Sequence, residues 1–135
     1  MIPTVGSPLP SLVVPHVSPE KMKTIALLLR DPNPIHWDVE AVQRLGLADR
    51  PVNQGPTNMA YVINMLLAWV GDPSRLHNLH VRFLSTVLAG DRVEAGGVVR
   101  SVEDDRDGAL VGCDVWLDCG EERALSGTAT VGWPA

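Results

Sequence analysis

The sequence predicts an α+β fold in which an antiparallel sheet wraps around one long central helix. Three observations carry this prediction. One stretch, from Gly55 to Val70, is apolar around nearly its whole circumference, the mark of a buried helix. The second half of the chain alternates apolar and polar residues with period two, the pattern of half-buried strands. Short turns rich in Gly and Asp separate those strands, so they join as antiparallel neighbours.

Each element follows from local chemistry. The N-terminal region holds Pro3, Pro8, Pro10, Pro15, Pro19, Pro32 and Pro34, so long regular elements are not expected there. Leu12-Val13-Val14 reads as a short edge strand ended by Pro15. Ser18-Pro19-Glu20 opens a helix. Ser caps it, Pro is preorganised at the first helical position, and Glu suits the positive end of the dipole. The helix runs to about Leu29, because Pro32 pushes Asp31 out of the α region. Asp38 caps a second, short helix that reaches Leu45, and Gly46 closes it. The long helix starts after Gly55, with Pro56 in its first turn, and Gly71-Asp72-Pro73 ends it.

Four strands follow. Leu79, Val81, Phe83 and Val87 alternate with Asn78, His80, Arg82 and Thr86. Asp91 to Val102 forms a further strand, weakened by Gly96-Gly97. Val111, Cys113, Val115, Leu117 and Cys119 form the third apolar row, and Leu125, Ala129, Val131 and Trp133 the fourth. Asp105-Arg106-Asp107-Gly108 and Cys119-Gly120-Glu121 have hairpin chemistry. One sheet face cannot cover the whole helix, so a second copy or the N-terminal segment must complete the cover. A sheet curled around one helix in this way is the hot-dog fold, which commonly dimerises.

Composition narrows the function. The 135 residues suit one compact domain, 1–135, with its own core. Eleven Lys and Arg against 16 Asp and Glu give a net charge of -5. Nucleic acid is therefore not an expected partner, since phosphate binding needs a concentrated positive surface. A hydrophobic content of 45% is too high for a disordered chain. Met1-Ile2-Pro3-Thr4-Val5-Gly6 does not read as a signal peptide. The apolar run Met59 to Val70 is broken by Asn64 and too short for a bilayer. A cytoplasmic protein with no membrane partner is expected.

Cys113 and Cys119 fall six residues apart on one strand, roughly 20 Å at about 3.3 Å per residue, beyond disulfide reach. They read as buried free thiols. His77 and His80 point to opposite faces of their strand, so no metal site is expected. The chain has 4 Trp but only 1 Phe and 1 Tyr. Trp69 belongs to the helix and the core, and Trp133 to the apolar face of the last strand. Trp116 lies on a polar face, where a dimer or partner contact is expected.

The densest polar cluster is Arg30-Asp31-Pro32-Asn33-Pro34-Ile35-His36-Trp37-Asp38. Its prolines forbid helix and make a stiff loop. A carboxylate and an imidazole held there can share one water, as general acid–base chemistry requires. Taken alone, an Asp-Pro turn beside a histidine more often only closes the loop. Asn53-Gln54-Gly55-Pro56 precedes the long helix. Gly lets a ligand approach the backbone, and free N–H groups at a helix start favour negative charge. A thioester carbonyl bound there would be polarised toward its enolate. Pro56 has no N–H, so Gly55 is the candidate donor; a plain Gly N-cap is the simpler alternative.

Together these pieces resemble the MaoC-like hydratase/dehydratase family, which includes the (R)-specific enoyl-CoA hydratases. The family signature Asp-x-Asn-Pro-aliphatic-His is met by Asp31-Pro32-Asn33-Pro34-Ile35-His36. The helix after Asp38, the Gly-led helix from Gly55, Val81-Arg82-Phe83 and Gly90-Asp91-Arg92-Val93 follow in family order, from about Ser18 to Val102. The resemblance implies a hydro-lyase. Asp31 and His36 would activate a water for addition to C3 of a trans-2-enoyl thioester. A proton would reach C2 on the same face, giving a (3R)-hydroxyacyl thioester. The Gly55 N–H would stabilise the enolate. Asn33, Trp37, Asn53 and Gln54 would meet the substrate. No metal or redox cofactor is implied, since coenzyme A or an acyl-carrier phosphopantetheine arrives with the substrate.

Three departures stand at the mouth of the site. Arg30 replaces a small or acidic residue, Asn53-Gln54-Gly55 replaces Ala-His-Gly, and Pro56 replaces Met. They bear on substrate more than on the Asp–His pair. Val52-Asn53 and Ala68-Trp69-Val70-Gly71 are similar to MaoC-like proteins of actinobacterial steroid side-chain degradation, which implies a bulky acyl group in fatty-acid or steroid side-chain metabolism. Arg44, Arg50, Arg82 and Arg92 are all open as contacts for the coenzyme A phosphates. A homodimeric hydratase is the first expectation. An acyl-binding or partner subunit of a heteromeric hydratase is the second, though such partners tend to lack the pair. A hot-dog thioesterase would need an acidic residue on the long helix, and Thr57 to Val70 has none.

Overall fold

A computed structural model describes residues 1–135. Strand β1 (Leu12–Val14) leads to helix α1 (Pro19–Leu29), a 3-10 turn at Pro34–His36, helix α2 (Val39–Arg44) and the long helix α3 (Gly55–Val70). Strands β2 (Leu76–Phe83), β3 (Val93–Asp105), β4 (Gly108–Cys119) and β5 (Glu122–Pro134) complete the chain. They form one antiparallel sheet in the order β1-β3-β4-β5-β2. Helix α3 touches every strand of it, so the fold is the hot-dog arrangement.

The helix ends obey their caps. Ser18 Oγ accepts from Lys21 N at 3.2 Å, and Asp38 Oδ1 accepts from Glu40 N at 2.9 Å and Ala41 N at 3.2 Å. At the start of α3 the N-cap is Gln54, and Gly55 is already the first helical residue. The Gly N-cap is thereby ruled out.

Helix α3 is covered on one side only. Val62, Met65, Leu66 and Val70 are buried against the sheet, while Pro56, Asn64 and Ala68 are exposed. Within one chain the sheet reaches one face, as expected, and the N-terminal segment covers only part of the other. The core gathers Leu9, Val17 and Met22 from that segment with the inward rows of β3, β4 and β5.

The strands differ from expectation in two respects. β2 ends at Phe83 rather than continuing to Val87, because Leu84 N and Ser85 N both bond to Ala124 O and turn the chain out of the sheet. Residues 84–92 then carry the chain across to β3, which leaves β2 at the far edge beside β5. Gly96-Gly97 does not weaken β3. A Cβ at Gly96 would fall 2.7 Å from Trp116 Nε1, and one at Gly97 2.8 Å from Asp114 O. Gly96 admits the Trp116 indole, which carries Arg123 on its face at 4.6 Å, and Gly97 admits the β4 backbone and the Leu9 side chain. Trp116 therefore packs on its own sheet. Trp133 stacks on Trp69 at 4.9 Å. Both two-residue hairpins occur where expected, with Asp105 opposite Gly108 and Cys119 opposite Glu122.

Candidate active site

The site begins at the end of α1. Arg30 adopts a left-handed conformation (φ 51°, ψ 41°), the only positive φ outside glycine. Its N–H bonds to Leu27 O at 3.2 Å, and Asp31 N bonds to Ala26 O at 2.9 Å. This paired closure is a Schellman motif, which usually takes Gly at the left-handed position. It sets the backbone of Asp31 against the helix. The Asp31 side chain then closes the next turn, with Oδ1 accepting from Asn33 N at 3.0 Å. Asn33 Oδ1 accepts from Ile35 N at 3.3 Å and starts the 3-10 turn that delivers His36.

His36 is buried, and both ring nitrogens have a partner. Nδ1 lies 2.6 Å from Val52 O, and Nε2 lies 3.2 Å from Asp31 Oδ2. A carbonyl oxygen only accepts, so Nδ1 carries the proton in the neutral ring. Asp31 Oδ2 is likewise an acceptor, so Nε2 donates to it in the doubly protonated ring, while in the neutral ring its lone pair is left for a water between the two groups. Asp31 thus uses Oδ1 to hold the loop and Oδ2 to face the imidazole. It remains one-third exposed, so the pair opens to solvent on the Asp31 side.

The Val52 segment also leads into α3. The Gly55 N–H is used by no hydrogen bond of the chain, as expected at a first helical position. A Cβ at Gly55 would lie 3.3 Å from the Phe83 ring, which is itself half exposed. A side chain at Gly55 would press on that ring, and Phe83 forms a wall beside the free N–H.

Asn53 and Gln54 are buried and turned inward. Asn53 Nδ2 donates to Asn58 Oδ1 at 2.7 Å and reaches Tyr61 Oη at 3.5 Å. Burial raises the Tyr61 pKa, and the Asn53 bond opposes the rise. Gln54 Nε2 donates to Met22 O at 2.7 Å and pins α3 to α1, while its Oε1 has no protein partner. These side chains are engaged within the fold rather than at an open surface. Trp37 is exposed beside Asp31 and lines a cleft of about 340 Å³ with Lys23, Ala26, Leu27 and Asp31. Sequence reasoning missed Val52 and Phe83. Val52 acts through its carbonyl, so its side chain carries no signal, and Phe83 sits in the apolar row of β2 with nothing local to mark its exposure.

Of the four arginines left open, Arg50 pairs with Asp91 at 3.0 Å, Arg92 with Glu94 at 3.2 Å and Arg44 with Asp38 and Glu40 at 4.0 Å. Arg82 is exposed and in no ion pair. No group of three or more His, Cys, Asp or Glu is arranged to hold a metal ion. No helix is long and apolar enough to cross a membrane. Cys113 is buried and Cys119 half-buried, both as free thiols.

A five-stranded sheet wrapped on one helix, with an Asp–His pair on the loop between α1 and α2, defines a hot-dog protein with a candidate acid–base site. The chain belongs to the MaoC-like dehydratase family: the model of the MaoC like domain matches residues 4–112. Solved structures share the fold. The chain is similar to the (R)-hydratase from A. caviae involved in PHA biosynthesis, at 21% identity and a TM-score of 0.84 over 97% of each chain. It is similar to a chain of the ChsH1-ChsH2 complex from Mycobacterium tuberculosis, at 22% identity and a TM-score of 0.81 over 97% of this chain and 98% of that one. A MaoC-like dehydratase gives 25% identity and a TM-score of 0.87 over 96% of this chain and 40% of the longer one. Among curated proteins no sequence match was found.

Proposed function

We propose that the protein is an (R)-specific 2-enoyl-CoA hydratase, or in reverse a 3-hydroxyacyl thioester dehydratase. The observation that carries the reading is the 3.2 Å contact of His36 Nε2 with Asp31 Oδ2, with the tautomer set by Val52 O. A water bound between the two groups gives one proton to the pair as its oxygen bonds to C3. The pair returns one proton to C2 on the same face, so the sum is addition of one water. Negative charge that builds on the thioester oxygen is met by the Gly55 N–H, placed at the positive end of α3. Asp31, His36 and Gly55 are the catalytic residues, and Trp37 lines the acyl side. Asn33 shapes the loop, and Asn53 and Gln54 set the α3 start from behind it. The substrate brings its own coenzyme A or phosphopantetheine, and neither metal nor redox cofactor takes part. Residues 1–135 act as one hot-dog unit in the cytoplasm, as a homodimer.

A second reading is favoured by one observation: the chain aligns over almost its full length with a member of a two-component complex. The protein is then the active half of a heteromer. Exposed Leu27 and Leu28 at the end of α1, and Leu45 and Leu47 after α2, offer apolar surface for either kind of partner.

The test follows the enoyl thioester absorbance with crotonyl-CoA and with a long or steroidal enoyl-CoA. Asp31→Asn and His36→Ala should each lose at least about 100-fold in rate. Unchanged turnover in either variant refutes the pair. No turnover by the wild type with any enoyl-CoA moves the weight to the heteromeric reading.

A further inference from the structure

His36 is held by a carbonyl that belongs to no regular element. Val52 lies between α2 and α3, and four hydrogen bonds fix its surroundings. Val52 N donates to Ile35 O at 2.9 Å, Ala89 N to Pro51 O at 2.9 Å, Asn53 N to Val87 O at 2.8 Å and Arg50 Nη1 to Ala89 O at 2.8 Å. All but the first end on the turn that contains Val87 and Ala89. The Val52 carbonyl is therefore placed only as well as that turn is placed.

Asp91 defines the turn. Its Oδ2 accepts from Leu88 N at 2.9 Å, and its own N–H donates to Leu88 O at 3.1 Å. Gly90 supplies the left-handed residue, at φ 85°. The other carboxylate oxygen, Oδ1, accepts from Arg50 Nη1 at 3.0 Å. One carboxylate thus closes the turn and ties it to the segment that carries Val52. The Arg50 guanidinium spans the gap, touching Ala89 O and Asp91 with the same nitrogen.

We propose that the Arg50–Asp91 pair is a positioning device for His36, locking the turn at 87–91 to residues 50–53 so that the Val52 carbonyl stays on Nδ1. The physical chain is short. If Val52 O moves away, the Nδ1 proton loses its only acceptor in a buried place, which costs free energy. The other neutral tautomer, with its proton on Nε2 donating to Asp31, then gains population. That tautomer has no lone pair toward the water. A half-exposed ion pair with no such role would contribute little and leave the ring unchanged. Arg50 and Asp91 are positioning residues, since neither touches the reacting atoms. The effect on turnover rests on the hydratase reading; the effect on the tautomer does not.

The experiment measures the ring nitrogen shifts of His36 by ¹⁵N NMR in the full chain, assigned by difference against His36→Gln. With the pH raised until the ring is neutral, wild type should show its proton on Nδ1. Arg50→Met keeps the aliphatic stem and removes the guanidinium; Asp91→Asn keeps an acceptor for Leu88 N and removes the charge. Either variant that folds should show a mixture of tautomers. In turnover, each should lose about 10–100-fold in kcat, the scale of a small misplacement of a reacting group, with KM near wild type. Arg50→Lys, or guanidinium added to Arg50→Met, should restore part of the loss. A wild-type tautomer in a folded Arg50→Met or Asp91→Asn overturns the proposal. Loss of folding in both also overturns it, since the pair is then structural. Absence of hydration by wild type, with the tautomer shift present, counts against the homodimeric hydratase and leaves the positioning device standing.

Discussion

The Nδ1 of His36 lies 2.6 Å from the carbonyl oxygen of Val52, sixteen positions later in the chain. That contact sets which ring nitrogen faces Asp31, and it joins the Pro-rich loop to the segment that starts the long helix. Val52 N returns a second bond to Ile35 O at 2.9 Å, so the loop and the segment are stitched in both directions.

Asp31→Asn should separate chemistry from folding. The Oδ1 of Asn still accepts from Asn33 N, so the loop keeps its turn. Thermal denaturation should shift little while enoyl thioester hydration falls by at least about 100-fold. A large fall in Tm would mean that the Asp31 charge serves the fold.

Gly55→Ala should impair activity through Phe83. The new Cβ would lie 3.3 Å from the ring carbons, tighter than comfortable contact, and the half-exposed ring can yield by moving over the free N–H. Hydration should fall about 10-fold or more, within what loss of one oxyanion donor costs. Gly55→Ala with Phe83→Ala should recover part of it, because contacting residues couple. Equal losses in the single and double variants would sink this account.

Arg30→Gly should stabilise the protein. A side chain at φ 51° pays about 1–2 kcal/mol for the left-handed region, and Gly avoids it at some cost in unfolded-chain entropy. A net gain of about 0.5–1 kcal/mol is expected, or about 2–5 °C in Tm, with hydration unchanged. A lower Tm would show that Arg30 makes contacts worth more than its strain.

Stability should fall in alkali. Burial pushes the thiols of Cys113 and Cys119 up from 9.0 to about 11, with Asp114 adding to the first and Asp91 to the second. A raised folded pKa means the folded chain keeps protons the unfolded chain releases. That stabilisation is complete below pH 9 and is lost as pH rises to about 11. Tyr61, raised by burial, acts in the same sense above pH 10. Urea midpoints should decline across this window, and less steeply when both cysteines are replaced by Ala. An unchanged slope would assign the decline to other groups.

Much of the fold was legible because its signals are local. Ser18, Asp38, Gly46 and Gly71 mark helix ends by chemistry that acts within a turn. Both hairpins follow from their turn residues. What escaped was set at a distance. Gly96-Gly97 reads as a weak strand until Trp116, from β4, is laid on Gly96 and Leu9 is packed on Gly97. Phe83 reads as core until the strand is seen to leave the sheet beside it. Gln54 reads as lining a site until Met22 O is found in front of it.

The sequence by itself determined the parts: an Asp and a His held five residues apart on a proline-stiffened loop, a Gly at the start of an apolar helix, and strands of period two. Backbone restriction and side-chain alternation need only near neighbours, so those parts can be read in order. The tertiary structure alone decided how they meet. It put the Val52 carbonyl on His36, moved β2 to the far edge, left one face of α3 open and tied Arg50 to Asp91. Those are packing decisions between segments far apart in the chain, and no local rule contains them.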